Sequence, residues 1–310
     1  MSDLDNNNAH IYVVGSINVD LCSVISELPR VGETVLAQEL IVGLGGKGAN
    51  QAVACCKLGG SVSMIAAVGN DQYGANSISQ LQSYGVNCDN IVVVEQPTGI
   101  AIVMVVNADN SIIVSPNANL HLDMSTIQKS LQNTTNSDIL IVQAETNCDL
   151  VKSTLQLAKS KEMRTIFNPA PASVEAIECM QYVDICVLNE IECEILTGIA
   201  PIDEVHVVLA IRQLYLKGVQ QVVLTLGQQG SVVSNGQQVT YIDVVNTQVV
   251  DTTGAGDSYI GALATCLASG CDIVQAAKFA SQVASITVSR KGASVAIPYL
   301  HELHHIEDLG

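Results

Sequence analysis

The chain has 310 residues, with 13 Lys and Arg against 30 Asp and Glu, which gives a formal net charge of -17 at pH 7. Such a charge repels a nucleic-acid backbone or an anionic membrane surface unless a basic patch offsets it, and the sequence contains no basic patch. We therefore expect neither a nucleic-acid partner nor a membrane partner. With 48% hydrophobic residues but only 2 Phe and no Trp, the chain can build an aliphatic core, as in one large α/β domain.

The ends of the chain and its cysteines predict a cytoplasmic protein. Residues 1–10 are polar and acidic, unlike a signal peptide, and are expected to form a disordered tail. The 10 cysteines are scattered, without a Cys-x-x-Cys pair, and are expected to be small buried residues in a reducing compartment. No apolar run reaches the length of a membrane span.

The first elements combine strands with a glycine-rich segment. Residues 11–15 are apolar on both faces, which predicts a central parallel strand. Alternation over residues 16–21 places Asn18 and Asp20 on one face, and residues 33–40 alternate as a second strand. Residues 43–50 then open a helix at 51–58 and bring backbone amides and Lys47 together. Because Lys47 is followed by Gly48, this is not a P-loop; a glycine-eased helix start is the alternative.

The middle of the chain predicts a small sheet attached to a parallel one. Residues 61–68 are a predicted strand and 74–84 a helix, whereas 98–106 and 111–114 form a hairpin around a turn at 107–110. This hairpin and the strands near residues 17–41 predict a small sheet, apolar on one side, that requires a ligand or another copy beneath it. From residue 139 the alternation is regular and predicts a Rossmann-like, doubly wound, mostly parallel sheet. Its predicted strands are 139–143, 165–168, 185–188 and 221–226, with helices at 147–161 and 173–182.

Polar residues end most of these strands. In open α/β sheets, ligands bind beyond the carboxyl ends of the strands, so several such residues together indicate a site, although each alone could be a cap. Asn189 and Glu192, one helical turn apart, could hold a hydrated Mg²⁺ beside phosphates or form a capping box. The residues at predicted strand ends are Asp20, Glu145, Asn168, Asn189, Thr225, Gly227 and Asp257.

Residues 250–258 contain the densest chemistry. The pairs 244–245 and 249–250 are predicted as strand and 259–267 as a helix, so Gly254 and Gly256 lie in a strand-to-helix turn. Glycines there expose the first amides of the helix, which can bind an anion. Asp257 at the rim could take a proton from a hydroxyl that attacks a phosphate, or it could simply cap the helix.

A zinc-protease pattern near the C-terminus is not expected to bind metal. It spans His301, Glu302, Leu303, His304 and His305, and too little chain follows to bury it or supply a further ligand. The other histidines lie away from glycine-rich turns and strand ends. We therefore expect no histidine-based catalysis.

Six segments, in order between about residues 11 and 298, resemble the ribokinase-like family of PfkB-type carbohydrate kinases. The resemblance implies a kinase domain at 11–298 with lid strands at about 17–43 and 98–117, followed by a tail at 299–310. It implies ATP-dependent phosphorylation of D-ribose at its 5-hydroxyl. A kinase for another sugar or a nucleoside, or a non-catalytic sugar-binding protein, remains an alternative. The segments are Gly15 to Asp20, Gly45 to Asn50, Asn168 to Ala172, Asn189 to Glu192, Thr225 to Gly230, and Asp251 to Asp257.

The same resemblance implies roles for individual residues. Asp257 would be the base, with Gly254, Ala255 and Gly256 completing the anion hole. The sugar would be bound by Asn18, Asp20, Gly46, Lys47, Asn50 and Glu145. The nucleotide would lie along Asn189, Glu192, Thr225, Gly227, Gly230, Gly256 and Ser281, with Glu192 helping to place Mg²⁺. A K⁺ ion would be held by oxygens of Asp251, Thr253, Thr287, Arg290, Gly292 and Ala296.

The resemblance also implies a homodimer formed through the lid. The sequence departs from the family pattern at two places. Ser281 stands where relatives carry Asn or His near the adenine. Pro116 and Asn117 replace the Ala-Gly usual in the lid.

Overall fold

The computed structural model describes residues 9–106 and 109–303. Its strands are β1 (Ile11–Val14), β2 (Asn18–Val24), β3 (Glu39–Gly45), β4 (Val62–Gly69), β5 (Asn87–Val94), β6 (Gly99–Val106), β7 (Asp109–Ser115), β8 (Ile139–Gln143), β9 (Arg164–Asn168), β10 (Ile185–Asn189), β11 (Gln221–Thr225), β12 (Ser231–Ser234) and β13 (Val239–Ile242). Its α-helices are α1 (Lys47–Lys57), α2 (Gln72–Ser83), α3 (Met124–Ser130), α4 (Cys148–Ser160), α5 (Glu190–Thr197), α6 (Glu204–Leu216), α7 (Ala255–Ala268), α8 (Ile273–Val288) and α9 (Leu300–Leu303). Short 3₁₀ helices cover Asn117–His121, Val174–Tyr182 and Gly227–Gln229.

The larger sheet has nine strands in the order β13-β12-β11-β10-β9-β8-β1-β4-β5. The pairs from β5 to β11 are parallel, and β12 and β13 extend the sheet antiparallel. Every residue of β4 and β8 is buried, as expected for apolar strands covered on both faces. The α/β, doubly wound prediction is therefore confirmed.

Strand β1 is the point at which the chain changes direction across this sheet. Its partners are β4 on one side and β8 on the other: the chain runs outward from β1 through β4 to β5, then returns to β8 and continues outward in the opposite direction. Such a switch point opens a crevice at the carboxyl ends of the strands, where ligands bind in folds of this kind. The polar residues that follow β1 therefore lie at the expected position of a site.

Two aliphatic clusters cover the faces of the large sheet. One contains residues of α1, α7 and α8, and the other contains residues of α4 and α6. Gly261 allows α1 and α7 to approach closely, because a Cβ at this position would lie 2.4 Å from Cβ of Ala54. No helix in the described ranges is long and apolar enough to cross a bilayer.

The smaller sheet has the order β3-β2-β6-β7 and projects from the carboxyl end of β1. Hairpin β6–β7 confirms the prediction for that region, whereas its turn residues Asn107 and Ala108 lie outside the described residues. Val42, Leu21, Ile102 and Ile113 are paired in register across the four strands and so share one face. Asp20, one residue from Leu21, points to the opposite face.

Two predicted strands are wrong. Residues 33–38 form an exposed irregular segment, because β2 pairs with residues 39–45 in a register that joins Asn18 to Gly45 and Val24 to Glu39. Residues 244–245 and 249–250 are also irregular; they are mostly exposed and pair with no strand in the described chain. The turn before α7 is consequently entered from a loop. Strands β5, β12 and β13 were not predicted.

Two of the cysteines depart from the prediction, and the two ends of the chain lie mostly outside the described residues. Cys266 and Cys271 pair as a disulfide, contrary to the expectation of ten free thiols, because the last turn of α7 brings their Cα atoms to 5.5 Å. Residues 1–8 and 304–310, which hold most of the predicted tails and His304 and His305, lie outside the described residues.

Candidate active site

Asp257 lies at the centre of the candidate site. It is the third residue of α7, only 7% exposed, and its carboxylate accepts hydrogen bonds from Asn50 Nδ2 (3.1 Å) and Gln51 Nε2 (3.0 Å). Helix α7 has no side-chain cap, and its N-cap residue is Gly254 with φ of 74°. The alternative role of Asp257 as an N-cap is therefore wrong, and its carboxylate is held by α1 instead.

The first turn of α7 presents backbone amides to a ligand. The amide of Ala255 donates to the carbonyl of Thr252 (3.2 Å), whereas those of Gly254, Gly256 and Asp257 have no acceptor within the described ranges. A Cβ on Gly256 would meet no atom within 4 Å, so open space lies beside this turn. Free amides at a helix start bind anions, which fits the predicted anion hole.

The ends of β2 and β3 hold a second group of polar side chains. Asn18 accepts from Asn119 Nδ2 (2.8 Å), which fixes its amide at the start of β2. The carboxylate of Asp20 lies so close to the Cα of Gly45 that any Cβ there would overlap it. Gly46 has φ of 91°, and a Cβ there would lie 2.8 Å from the amide nitrogen of Asn18. Only glycine fits at these two positions.

Glu145 joins this group from the end of β8. One of its carboxylate oxygens accepts from the amide of Lys47 (3.0 Å) and from the hydroxyl of Ser16 (2.5 Å). Asn50 is 6% exposed, and its Oδ1 has no partner among the described residues. A buried acceptor without a donor is costly, so Asn50 is suited to accept a hydrogen bond from a bound hydroxyl.

The electrostatics of the site are dominated by acidic residues around one lysine. Burial, with smaller contributions from Glu145 and Asp257, raises the pKa of Asp20 to about 7. Burial alone would lower the pKa of Lys47, but Asp257, Glu145 and Glu192 together raise it, so this lysine stays charged. The site therefore combines one fixed cation with a carboxyl group that titrates near neutral pH.

A cavity of about 220 Å³ extends from Lys47 and Asp257 to the carboxyl ends of β10 and β11. The predicted sugar residues Asn18, Asp20, Gly46, Asn50 and Glu145 are not among the residues that line it. Asn189 and Glu192 form the capping box that the sequence allowed, with bonds of 2.8 and 2.9 Å. Burial raises the pKa of Glu192, although the amide of Asn189 and Lys47 oppose this. The lining residues include Lys47, Asn168, Asn189, Glu192, Thr225, Gly254, Gly256 and Asp257.

Three predicted nucleotide residues do not line this cavity. Gly227 and Gly230 bracket the 3₁₀ helix just after Thr225, and both have positive φ, at 52° and 83°. Ser281 lies in α8. The structure thus brings most of the predicted nucleotide residues together and leaves these three at a distance from the cavity wall.

The predicted cation ligands converge on the loop that follows α8. The carboxylate of Asp251 accepts from the amide and hydroxyl of Thr253 (2.9 and 2.6 Å) and from the amide of Gly292 (2.9 Å). Burial acts to raise the pKa of Asp251, but these bonds hold it below its usual range. The carbonyls of Asp251, Thr253, Arg290, Gly292 and Ala296 accept no hydrogen bond from any described residue, whereas that of Thr287 accepts from Arg290.

Several residues that complete the site were not predicted. Gln51 joins Asp257, Asn168 and Gln143 in one buried network, with bonds of 3.0, 3.4 and 2.7 Å. Asn119 and Ser16 orient Asn18 and Glu145. The available signal was a glutamine next to an apolar run in each of two elements, Gln51 before Ala52–Cys56 in α1 and Gln143 at the end of β8. Within the zinc-protease pattern, Glu302 forms a salt bridge with Arg290 (2.7 Å). No cluster of potential metal-binding side chains occurs within residues 9–106 and 109–303.

Comparison with known proteins assigns this site to a class. Residues 8–299 match the pfkB family carbohydrate kinase. The chain is 36% identical over 292 residues to the ribokinase of Haemophilus influenzae, with 94% of this chain and 95% of that protein covered. It is 33% identical over 302 residues to the deoxyribokinase of Salmonella typhi, with coverage of 95% and 97%. The structure of Arabidopsis thaliana ribokinase complexed with ribose and ATP matches with a TM-score of 0.88 at 29% identity, covering 96% of this chain and 98% of that one.

These matches extend over almost the whole length of both partners in each comparison. The chain therefore belongs to the pfkB family of carbohydrate kinases, and the expected resemblance is confirmed.

Proposed function

We propose that this protein transfers the γ-phosphoryl group of ATP to the 5-hydroxyl of D-ribose. The observation that carries the proposal is the buried carboxylate of Asp257, fixed by Asn50 and Gln51 beside free amides of the same helix turn. The similarity to ribokinases supports ribose as the acceptor. The similarity to a deoxyribokinase makes 2-deoxyribose the second candidate.

Asp257 is the base in this proposal. Both of its oxygens accept hydrogen bonds from side-chain amides, which fixes the orientation of the carboxylate at the cavity wall. The 5-hydroxyl gives its proton to Asp257 as its oxygen attacks the γ-phosphorus in line with the departing ADP. A positioned base of this kind contributes about 10²- to 10⁴-fold to the rate.

Charge that develops on the transferred group is met by fixed donors. The amides of Gly254, Gly256 and Asp257 are without a described acceptor at the positive end of α7, and Lys47 lines the same cavity. Preorganised donors act strongly here because they need no reorganisation during the reaction. Ala255 contributes the helix turn, since its own amide is already bonded to Thr252.

The sugar would lie between the small sheet and α1. Asn18 and Asp20 from β2, Glu145 after β8 and the unpartnered Oδ1 of Asn50 supply acceptors for several hydroxyl groups. Gly46 lets the substrate approach the main chain. Asp20, when ionised, can bind two neighbouring hydroxyl groups and can tolerate the loss of one, which is why deoxyribose competes as a candidate.

ATP would extend from the anion hole along Asn189 and Thr225, with its base near Gly227, Gly230 and Ser281 at the outer end. Glu192 suits Mg²⁺, because it lines the cavity and only one of its two carboxylate oxygens is bound to the Asn189 amide. Magnesium, when bound, would neutralise the phosphates and orient the leaving group. The side chain of Glu192 would hold that ion through water.

The unpaired carbonyls of Asp251, Thr253, Arg290, Gly292 and Ala296 fit a monovalent cation such as K⁺. Hard cations prefer oxygen ligands, and these oxygens have no donor among the described residues. The ion would stabilise the loop that packs on Gly254 without contacting either substrate.

A homodimer through the small sheet is also part of the proposal. Val42, Ile102 and Ile113 in the shared row are 56%, 42% and 55% exposed. An exposed apolar row across a whole sheet face is an expected interaction site, and a two-fold axis would place this row against its own copy.

The test measures ADP release from ATP and Mg²⁺ with ribose, deoxyribose, fructose or adenosine, in potassium and in sodium buffer. Asp257→Asn removes the proton acceptor and keeps the shape of the side chain. Asp89→Asn, on exposed residue 89 of edge strand β5, is the matched control. We expect ribose-dependent turnover that is faster in potassium, retained in the control, and reduced at least about 10²-fold in Asp257→Asn.

Each other result has a definite meaning. A larger kcat/KM for deoxyribose than for ribose would replace the substrate and keep the mechanism. Turnover with fructose or adenosine alone would contradict the pentose assignment. No turnover with any acceptor, from folded protein, would favour a non-catalytic sugar-binding protein.

A further inference from the structure

Lys57, at the last turn of α1, is the most completely enclosed cation of the described chain, and the mechanism above does not use it. The residue is 5% exposed. Its ammonium group donates to the carbonyls of Ser294 (2.8 Å) and Ile297 (2.8 Å), with the carbonyl of Val295 at 3.5 Å. Burial lowers the pKa of Lys57 to about 8, with Glu302 opposing this shift, so the side chain remains mostly an ammonium at pH 7 and needs these carbonyl partners.

Two aromatic rings complete the enclosure. The rings of Tyr84 and Tyr299 lie on the Lys57 ammonium, each with its centroid 4.9 Å away. The negative faces of aromatic rings attract cations at this distance. Glu302 accepts from the amide of Tyr299 (2.7 Å) and pairs with Arg290, which fastens the segment that covers the lysine.

The carbonyls that Lys57 holds belong to the loop that packs on the catalytic turn. A Cβ on Gly254 would lie 3.0 Å from Cα of Ala293, so the loop is in direct van der Waals contact with the anion hole. The amide of Gly292 also binds Asp251 at the start of the same turn (2.9 Å). Movement of residues 292–297 would therefore move Gly254 and the amides that follow it.

The arrangement of carbonyls divides the loop between two cations. Ser294, Val295 and Ile297 turn their oxygens to Lys57, while those of Gly292 and Ala296 remain without a donor among the described residues. The carbonyls of one short segment thus form two sets, one bonded to the Lys57 ammonium and one without a described donor. Fixing one set fixes the other, because the two sets share the same backbone.

We propose that Lys57 is a positioning residue that acts as an internal cation, holding residues 292–297 so that the anion hole and the monovalent-cation site keep their geometry. It is not a catalytic residue, because it lies at the far end of α1 from Lys47 and Asn50, which line the substrate site. The proposal rests on the proposed kinase function for its kinetic consequences, whereas its structural consequence can be measured without substrates.

The first measurement is amide hydrogen exchange of the substrate-free protein, followed peptide by peptide. Lys57→Met keeps the length and apolar body of the side chain and removes the charge and donors. Lys278→Met, at an exposed position of α8, is the matched control. We expect exchange over residues 290–299 to accelerate about tenfold or more in Lys57→Met, with the large sheet unchanged and the control like the wild type.

The second measurement separates positioning from simple stabilisation. With saturating sugar and MgATP, Lys57→Met should lower kcat by up to about 10²-fold, since a small misplacement of catalytic groups has effects of this size. The sugar KM should change little, and the potassium concentration for half-maximal activity should rise. Lys57→Arg retains charge and donors and should restore most of kcat.

The outcomes are distinguishable from failure of the kinase assignment. If the wild type has no kinase activity, the proposed function is wrong, and hydrogen exchange still tests the role of Lys57. Unchanged exchange over residues 290–299 would overturn the inference. So would uniformly faster exchange with kcat per folded molecule unchanged, because Lys57 would then stabilise the fold without positioning the loop.

Discussion

Sugar affinity should depend on pH through Asp20. In the free protein, burial raises the pKa of this carboxyl group to about 7, with Glu145 and Asp257 contributing. The folded protein therefore holds the proton more tightly than an exposed aspartate does. A carboxyl group accepts hydrogen bonds from two hydroxyl groups most strongly when it is ionised, so binding favours loss of that proton, and affinity rises with pH.

The magnitude follows from the fraction of ionised Asp20. A group with a pKa of about 7 is ionised to roughly one tenth at pH 6 and roughly nine tenths at pH 8. The apparent Kd is the Kd of the ionised form divided by that fraction, so it should fall about ninefold from pH 6 to pH 8. Near pH 7, binding should release about half a proton per sugar.

Isothermal titration calorimetry with ribose and no nucleotide measures both quantities, since titrations in two buffers of different ionisation enthalpy give the released proton. Asp20→Asn should bind more weakly and lose the pH dependence, while Asp89→Asn should keep it. A wild-type Kd that is constant between pH 6 and pH 8 would refute the reasoning. An unchanged slope in Asp20→Asn would assign the titration to another group.

Two further substitutions test the turn and the small sheet. Gly254→Ala should lower kcat about 10²-fold and unfolding free energy by about 1–2 kcal/mol, because φ is 74° and the new Cβ would lie 3.0 Å from Ala293. In parallel assays and urea titrations, Gly270→Ala, with φ of 89° in open space, should show only the stability loss, and equal kcat losses would contradict this. In analytical ultracentrifugation, Ile113→Lys should shift the sedimentation coefficient toward that of the monomer. The control Val174→Lys, at a position 68% exposed on a 3₁₀ helix, should not. A wild type that is monomeric at all concentrations would exclude the dimer.

Local patterns were sufficient for the framework of this fold. Apolar runs such as residues 139–143 and the hairpin at 98–114 are determined by near-neighbour sequence, and the structure has them within a residue or two. The predictions at 33–38, 244–245 and 249–250 were wrong because a local apolar pattern alone does not supply a partner strand. Strand β3 is defined by its register against β2, which the sequence does not display.

In the candidate site, too, residues in local motifs were predictable, whereas their long-range contacts were not. Asp257, Lys47 and Asn50 were predictable because they stand in glycine-rich motifs with a distinct chemistry. The bonds that hold them were not, since Gln51 reaches Asp257 across 206 positions of sequence and Ser16 reaches Glu145 across 129. The disulfide was missed for a different reason: Cys266 and Cys271 are only 5 residues apart, and their pairing depends on the turn that follows α7.

The register of the small sheet has a mechanical consequence. Asn18 and Gly45 form the pair at one end of the β2–β3 ladder, and Val24 and Glu39 form the pair at the other. The residues proposed to bind the sugar lie at the base of this sheet, because Gly45 continues directly into Gly46 and Lys47. In the proposed homodimer, a displacement of the outer strands would be passed along β2 and β3 to these residues, so that each subunit would respond to substrate bound in the other.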